Sequence, residues 1–200
     1  MKLSAYFKPK TMVYTGSYAH IKTKITHWEY NSEKFEQVSG LDLNSEMKHY
    51  IQVVGLADVE KIQGIREHLT IDPMVMEDIF NVNQRNKFEL KDDYLFGTFS
   101  LSYIENKKIE NDYMSILMFP NVIVTFHETE PDYLEHLSIL FNDHKELREL
   151  PIDYLFFQIM DIITDEHLEV YDTLNVSVND FEAQLLEKKS IEQEAFYQIR

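Results

Sequence analysis

The last 49 residues of the chain contain neither glycine nor proline, which constrains the fold more than any other feature of the sequence. Apolar residues recur in this segment at steps of three and four: Tyr171, Leu174, Val178, Phe181 and Leu185. That spacing is typical of the seam of a coiled coil or of two long packed helices. We therefore predict one long helix from Ile152, in which residues 161–189 extend roughly 40 Å. A second helical run over 191–200 has no C-cap, so we expect the chain to be truncated inside a helix.

The preceding 151 residues alternate between strand and helix patterns. Runs rich in β-branched and aromatic residues predict strands over residues 12–18, 21–30, 50–54, 87–90, 94–103, 109–119 and 122–127. Helical spacing predicts a helix over 58–68, and Asp72 as N-cap before Pro73 predicts a second helix that ends near Phe80. Pro131 begins a third predicted helix, which runs to about Leu147. Strands with helices before and after them imply an α/β or α+β layered fold around one sheet.

The net charge of −16 is unevenly distributed along the chain. Residues 131–200 carry 16 Asp and Glu against five Lys and Arg, whereas residues 1–60 carry seven of each kind. Contacts with nucleic-acid phosphates need surplus Lys and Arg, so the charge argues against nucleic-acid binding. Self-repulsion of this size favours counter-cations or a basic partner, although an acidic surface that only confers solubility is the simpler interpretation.

The sequence carries no signal for export, disulfide formation or membrane insertion. It has no cysteine, which excludes thiolate metal sites and suits a reducing compartment. Residues 1–6 lack the apolar stretch of a secretory signal. The most apolar run, residues 116–126, is far shorter than the roughly 20 residues that span a bilayer. We therefore expect the visible chain to be cytoplasmic.

Common catalytic patterns are also absent from the sequence. There is no glycine-rich phosphate loop, no GxSxG motif and no HExxH motif. His127 is followed by Glu128 but lacks the second histidine one helical turn later. His136, His144 and His167 lie in acidic helical surroundings, where we predict surface positions. We therefore expect that the chain is not an enzyme.

Acidic clusters are the better candidates for a functional site. In the predicted helix 73–80, the 3.6-residue period places Val75, Met76, Ile79 and Phe80 on one apolar face. Glu77 and Asp78 then project together from the other face. In the long helix, acids form a stripe with i, i+4, i+8 and i+11 spacing, with Glu166 alongside it: Asp161, Asp165, Glu169 and Asp172. Oxygen ligands without His or Cys suit Mg²⁺ or Ca²⁺, whereas a solvated polar face is the alternative interpretation.

The segment DPMVMEDIFNVNQRNKFE, residues 72–89, resembles the HPLxLEDIxNxxQRPKxE segment of CorA-type magnesium transporters. The matching positions are Pro73, Glu77, Asp78, Ile79, Asn81, Gln84, Arg85, Lys87 and Glu89. Asp72 replaces the usual histidine and Asn86 replaces the usual proline. The order of strands, hairpin-like sheet and acidic helix also fits over essentially the whole chain, although only this segment matches closely.

The resemblance implies the N-terminal cytoplasmic domain of a homopentameric divalent-cation channel in the cell membrane. Its fold would be an α/β/α sandwich around a mixed parallel and antiparallel sheet. We assign residues 1–150 to that domain and residues 151–200 to an acidic helical segment, packed on the same domain, that begins a stalk helix. The two transmembrane helices and the GMN signature of the pore would lie beyond Arg200.

The family's regulatory metal sites lie between neighbouring cytoplasmic domains. By resemblance, their acids correspond to Glu77 and Asp78 and, approximately, to Asp165 and Glu166. A further acid would come from the neighbour's stalk helix. The implied ion is Mg²⁺, with Co²⁺ or other divalent cations possible, and bound Mg²⁺ is expected to favour the closed pentamer.

Two alternatives remain open at this stage. One is a zinc-transporting relative with the same cytoplasmic fold and different gating. Direct binding of Zn²⁺ at His and carboxylate sites, with indifference to millimolar Mg²⁺, would indicate it. The other is a free-standing soluble acidic metal-binding protein, either a scaffold or a metal-dependent hydrolase. A native stop codon at residue 200 would favour that second alternative.

Overall fold

A computed structural model describes residues 12–43, 46–105 and 107–186. In this part of the chain seven strands form one sheet in the order β2-β1-β3-β7-β6-β5-β4. The strands are β1 Lys24–Tyr30, β2 Phe35–Val38, β3 Lys48–Val54, β4 Lys87–Leu90, β5 Leu95–Glu105, β6 Lys108–Met118 and β7 Val122–His127. The helices are α1 Val59–Leu69, α2 Pro73–Phe80, α3 Glu135–Asp143, α4 Lys145–Glu149 and α5 Ile152–Leu186.

The sheet is mixed because β3 and β7 are parallel while every other neighbouring pair is antiparallel. In the parallel pair Tyr50 lies opposite Ile123. Parallel neighbours require a crossover connection, and here that connection consists of α1, α2 and the β4–β5–β6 meander. The meander returns the chain to the centre of the sheet, so that β7 lies between β3 and β6.

The two faces of the sheet carry separate hydrophobic cores, because strand side chains alternate between faces. On one face, which we call the α2 face, strand residues pack against α1 and α2; the core includes Ile51, Val53, Leu117, Val124, Phe126, Ile62, Ile65, Val75, Ile79 and Phe80. On the other, the α5 face, the core includes Tyr50, Met114, Ile116, Ile123, Leu137, Phe141, Leu155, Ile159 and Ile163. Helices on both faces of a mixed sheet confirm the predicted α/β/α sandwich.

Two predicted elements differ from the structure, and one observed strand was not predicted. Residues 12–18 form a loop instead of a strand, and the Thr15 amide donates to the Phe80 carbonyl at 3.0 Å. Strand β2, which is only four residues long, was not predicted. Strand composition shows that a segment suits a pleated, half-buried surface, whereas pairing with a neighbour decides whether a strand forms.

The helix predicted from Pro131 to Leu147 is divided into three parts. A 3₁₀ turn over Asp132–Leu134 precedes α3, and an extended residue, His144, separates α3 from α4. The buried guanidinium of Arg148 donates to the carbonyls of Phe141 and Asn142 at 2.6 and 2.8 Å. These bonds satisfy carbonyls at the end of α3, which the break would otherwise leave unpaired.

The long C-terminal helix is confirmed as α5, whose 35 residues extend roughly 50 Å. Its buried contacts with the sheet face end at Val170. Beyond that point Tyr171 and Val176 are 64% and 60% exposed. The second predicted run, 191–200, lies outside the described residues.

Candidate metal centre

Helix α2 presents its two candidate ligands at the surface because its other side is anchored in the core. The Asp72 side chain accepts a hydrogen bond from the Met74 amide at 2.8 Å and Pro73 follows it, so the helix begins where the sequence predicts. Val75, Met76, Ile79 and Phe80 are at most 1% exposed. Glu77 is therefore exposed and Asp78 partly exposed on the outward side of the helix.

Both carboxylate oxygens of Asp78 contact side chains of the following segment. The Gln84 amide donates to Oδ1 at 2.6 Å, and the Lys87 ammonium donates to Oδ2 at 2.6 Å. The side chains of Lys87 and Asp78 are 29% and 27% exposed, so this ion pair lies at the edge of the solvent. The Asp78 carboxylate is thus bonded to the side-chain amide of Gln84 and to the ammonium group of Lys87 in the same chain.

The Asp78 ion pair continues along β4 as a chain of alternating charges. Lys87 also donates to Glu89 at 2.7 Å, and Lys91 lies 2.7 Å from the other oxygen of Glu89. Hydrogen bonds from the two lysines lower the pKa of Glu89 to about 2. Burial by itself would lower the pKa of Lys87, but its bonds to Asp78 and Glu89 outweigh burial and raise it. Glu89 and Lys87 are therefore both charged near neutral pH.

The second predicted pair of acids lies on α5. Asp165 is exposed, whereas Glu166 is half-buried and lines a shallow depression with Tyr103 and Tyr133. Burial raises the pKa of Glu166, and the nearby charges of Glu169 and Asp165 raise it further. These acids repel one another, and no described Lys or Arg on α5 is available to relieve them.

Within one chain the structure does not bring the two pairs of acids together. Glu77 and Asp78 lie on α2, which covers one face of the sheet, while Asp165 and Glu166 lie on α5, which covers the other. In residues 12–43, 46–105 and 107–186 no group of three or more His, Asp or Glu side chains could hold a metal ion. The oxygen donors fit Mg²⁺, which keeps several waters and takes only one or two carboxylates. Among the described residues, the two acidic pairs therefore do not form one common site within a single chain.

Several buried polar residues were not singled out by sequence reasoning. His27 and His49 are 3% and 1% exposed, and Nε2 of His27 lies 2.9 Å from Nδ1 of His49. On the same sheet, burial raises the pKa values of Asp112 and Glu128, while the Tyr14 hydroxyl donates to Glu128. Their residue types and spacing follow no metal or catalytic motif, so only the fold reveals that they are buried.

Across the described part of the chain, no helix combines the length and the apolar character that a membrane crossing requires.

The fold is shared with the soluble domain of CorA and the cytoplasmic domain of ZntB. The structure of the soluble domain of CorA from Methanocaldococcus jannaschii matches with a TM-score of 0.69 and 14% identity, covering 86% of this chain and 67% of that one. The ZntB cytoplasmic domain from Vibrio parahaemolyticus matches with a TM-score of 0.62 and 17% identity, covering 78% of this chain and 64% of that one.

Sequence comparison identifies the family. The family described as CorA-like Mg2+ transporter protein matches residues 51–199, and the chain belongs to this family. The cobalt/magnesium transport protein CorA of Thermotoga maritima is 25% identical over 190 residues, which are 90% of this chain and 54% of that protein. The chain thus spans about half the length of this curated relative. The resemblance of residues 72–89 to CorA-type transporters is confirmed.

Proposed function

We propose that this chain is the cytoplasmic cation-sensing part of a divalent-metal transporter, with Mg²⁺ as the sensed ion. Glu77 and Asp78 of one copy would share the ion with acids of a neighbouring copy. The observation that carries the proposal is the placement of Glu77 and Asp78 at the surface by a helix whose other side is fully buried. Carboxylates presented in this way can be shared between two molecules.

The separation of the two acidic pairs supports an assembly in a ring. Asp165 and Glu166 lie on the sheet face opposite to Glu77 and Asp78, so the two pairs can meet only when the α2 face of one copy meets the α5 face of the next. Such a head-to-tail contact between unlike surfaces generates a closed ring when its rotation closes. A homopentamer satisfies that requirement and is the assembly that we propose.

Regulation would follow from mass action between two arrangements of the ring. When the ion is abundant, the shared carboxylates stabilise the closed arrangement, because a ligand shifts the population towards the state that binds it better. When the ion is scarce, the domains repel one another, since the chain carries a net charge of −16. Ion binding at the shared carboxylates would therefore oppose the repulsion between the domains.

Replacing Asp78 by asparagine is expected to reduce the stabilisation that Mg²⁺ confers, because a neutral amide oxygen attracts the ion less strongly than a carboxylate. The measurement is the rise in melting temperature of the chain over a Mg²⁺ titration. Exposed Asp92→Asn, which removes the same charge from a turn, is the matched control and should keep the response of the parent. Equal Mg²⁺-induced shifts in Asp78→Asn and the parent would count against the proposal.

A zinc-sensing role is the second candidate, because the ZntB cytoplasmic domain has the same fold. The parallel experiment replaces Mg²⁺ by Zn²⁺ in the titration. A response to micromolar Zn²⁺ without a response to millimolar Mg²⁺ would assign this chain to the zinc alternative. The reverse pattern would favour Mg²⁺.

A further inference from the structure

We propose that Lys87 is a tethered competitor for the divalent cation at Asp78. Its ammonium group is hydrogen-bonded to the Asp78 carboxylate that the ion would bind, so the ammonium group and the ion compete for that carboxylate. The inference rests on the proposed function, since it takes Asp78 as a ligand. It adds the residue that determines the concentration range over which the site responds.

The competition follows from the contacts of Asp78. Lys87 Nζ lies 2.6 Å from Oδ2, and Gln84 Nε2 lies 2.6 Å from Oδ1, so both oxygens already accept a short hydrogen bond. A divalent ion binds carboxylate oxygen at about 2.0–2.6 Å. An ammonium group and a divalent ion on the same oxygen would lie close together, and their like charges would repel each other. Direct binding of an ion at Oδ2 is therefore weakened as long as Lys87 is bonded there.

Lys87 can leave Asp78 without losing an ionic partner. The same ammonium group lies 2.7 Å from Oε1 of Glu89, and its stem passes the ring of Phe96, 5.4 Å from Nζ to the ring centre. Glu89 itself also contacts Lys91. When Lys87 turns fully towards Glu89, its charge stays compensated and only the Asp78 carboxylate is released. The exchange is therefore between two ion pairs and does not leave an unpaired lysine.

The competitor weakens the apparent affinity of the site. The apparent affinity is the intrinsic affinity multiplied by the fraction of molecules in the binding-competent state, here those in which Asp78 is not bonded to Lys87. Partly exposed ion pairs are weak, so removal of the ammonium group should lower the Mg²⁺ concentration at the titration midpoint by roughly two- to fivefold. A site of this kind responds to higher ion concentrations than its carboxylates alone would set.

The test compares Lys87→Met with Lys91→Met in a Mg²⁺ titration of the melting temperature. Methionine keeps the apolar stem and removes the charge. The two lysines are matched, because their side chains are 29% and 30% exposed and both contact Glu89, but only Lys87 contacts Asp78. We expect the midpoint to fall for Lys87→Met and to stay near the parent value for Lys91→Met. Equal changes in the two variants would indicate general electrostatics and would overturn the inference.

Lys87→Arg provides a second variant with the opposite expected sign. A guanidinium group can hold a carboxylate through two hydrogen bonds, so it should compete more strongly and raise the Mg²⁺ midpoint. A midpoint that falls for Lys87→Arg would contradict the competitor role even if Lys87→Met behaved as expected.

Asp78→Asn separates this inference from the proposed function. If Asp78→Asn abolishes the Mg²⁺ response while Lys87→Met leaves the midpoint unchanged, Asp78 is a ligand and the competitor role is wrong. If neither the parent nor Lys87→Met responds to Mg²⁺, both the proposed function and the inference fail. A response that appears only in Lys87→Met would support the competitor role strongly.

Discussion

Replacing Phe80 by alanine is expected to lower the free energy of unfolding by about 3–5 kcal/mol, the range for truncating a buried phenylalanine. Phe80 is fully buried at the end of α2 and belongs to the core of the α2 face. Its carbonyl also accepts a hydrogen bond from the Thr15 amide, which ties the preceding loop to the helix. A cavity at this position would loosen the helix that carries Glu77 and Asp78.

Urea unfolding followed by far-ultraviolet circular dichroism measures this effect directly. Phe157→Ala is the matched control, because Phe157 is 55% exposed on α5 and its truncation removes little buried surface. We expect the control to retain nearly the stability of the parent. A loss below about 1 kcal/mol for Phe80→Ala, the scale of a surface substitution, would show that Phe80 does not anchor α2.

Acidification below about pH 6 is expected to destabilise the chain through His127, at up to about 1.4 kcal/mol per pH unit. This side chain is fully buried, and its Nε2 atom has no hydrogen-bond partner among the described residues. Burial lowers the pKa of His127 from 6.5 to about 3. Between these two values the unfolded chain binds a proton that the folded chain does not bind. Stability from the neutral imidazole is therefore present above the unfolded pKa and is lost as the pH falls towards the folded pKa.

Comparing His127→Leu with the parent isolates this contribution, because other groups titrate in the same range. The raised pKa values of Asp112 and Glu128 have the opposite effect, since carboxyls that protonate more readily in the folded chain add stability as the pH falls. We expect His127→Leu to lose less stability than the parent between neutral pH and about pH 5, a range set by the shifted imidazole pKa. Exposed His136→Leu should follow the parent, and an unchanged pH dependence in His127→Leu would contradict the assignment.

Residues 72–89 could be predicted from the sequence in unusual detail because their signals are local. Asp72 and Pro73 specify the start of α2, and the 3.6-residue period assigns its buried and exposed sides without reference to the rest of the chain. The family motif lies in the same segment, which is why the resemblance and the helix were found together. The long helix α5 was predictable for a similar reason, since nothing in residues 152–186 interrupts a helix.

The predicted elements that were wrong, and the strand that was not predicted, depend on tertiary contacts that follow no helical or strand period. The loop over 12–18 has strand-like composition but pairs with none of the described strands, whereas β2 forms because β1 is available to pair with it. The break at His144 is stabilised by Arg148, whose guanidinium binds the carbonyls at the end of α3. None of these pairings leaves a periodic signal in the sequence.

The sequence by itself determined the family, the helical segments with strong caps or periods, and the identity of the acids on the outward side of α2. Only the tertiary structure decided that Lys87 forms an ion pair with Asp78. It also decided that Asp165 and Glu166 lie on the opposite side of the sheet from Asp78. The physical reason is the distance along the sequence over which each kind of interaction acts. Caps and helical periods act over about one to four residues, whereas the contacts that complete a charged site depend on which strand lies beside which helix after folding. The fold brings the first residue of β4 back to α2, so a lysine nine residues along the chain becomes the partner of Asp78.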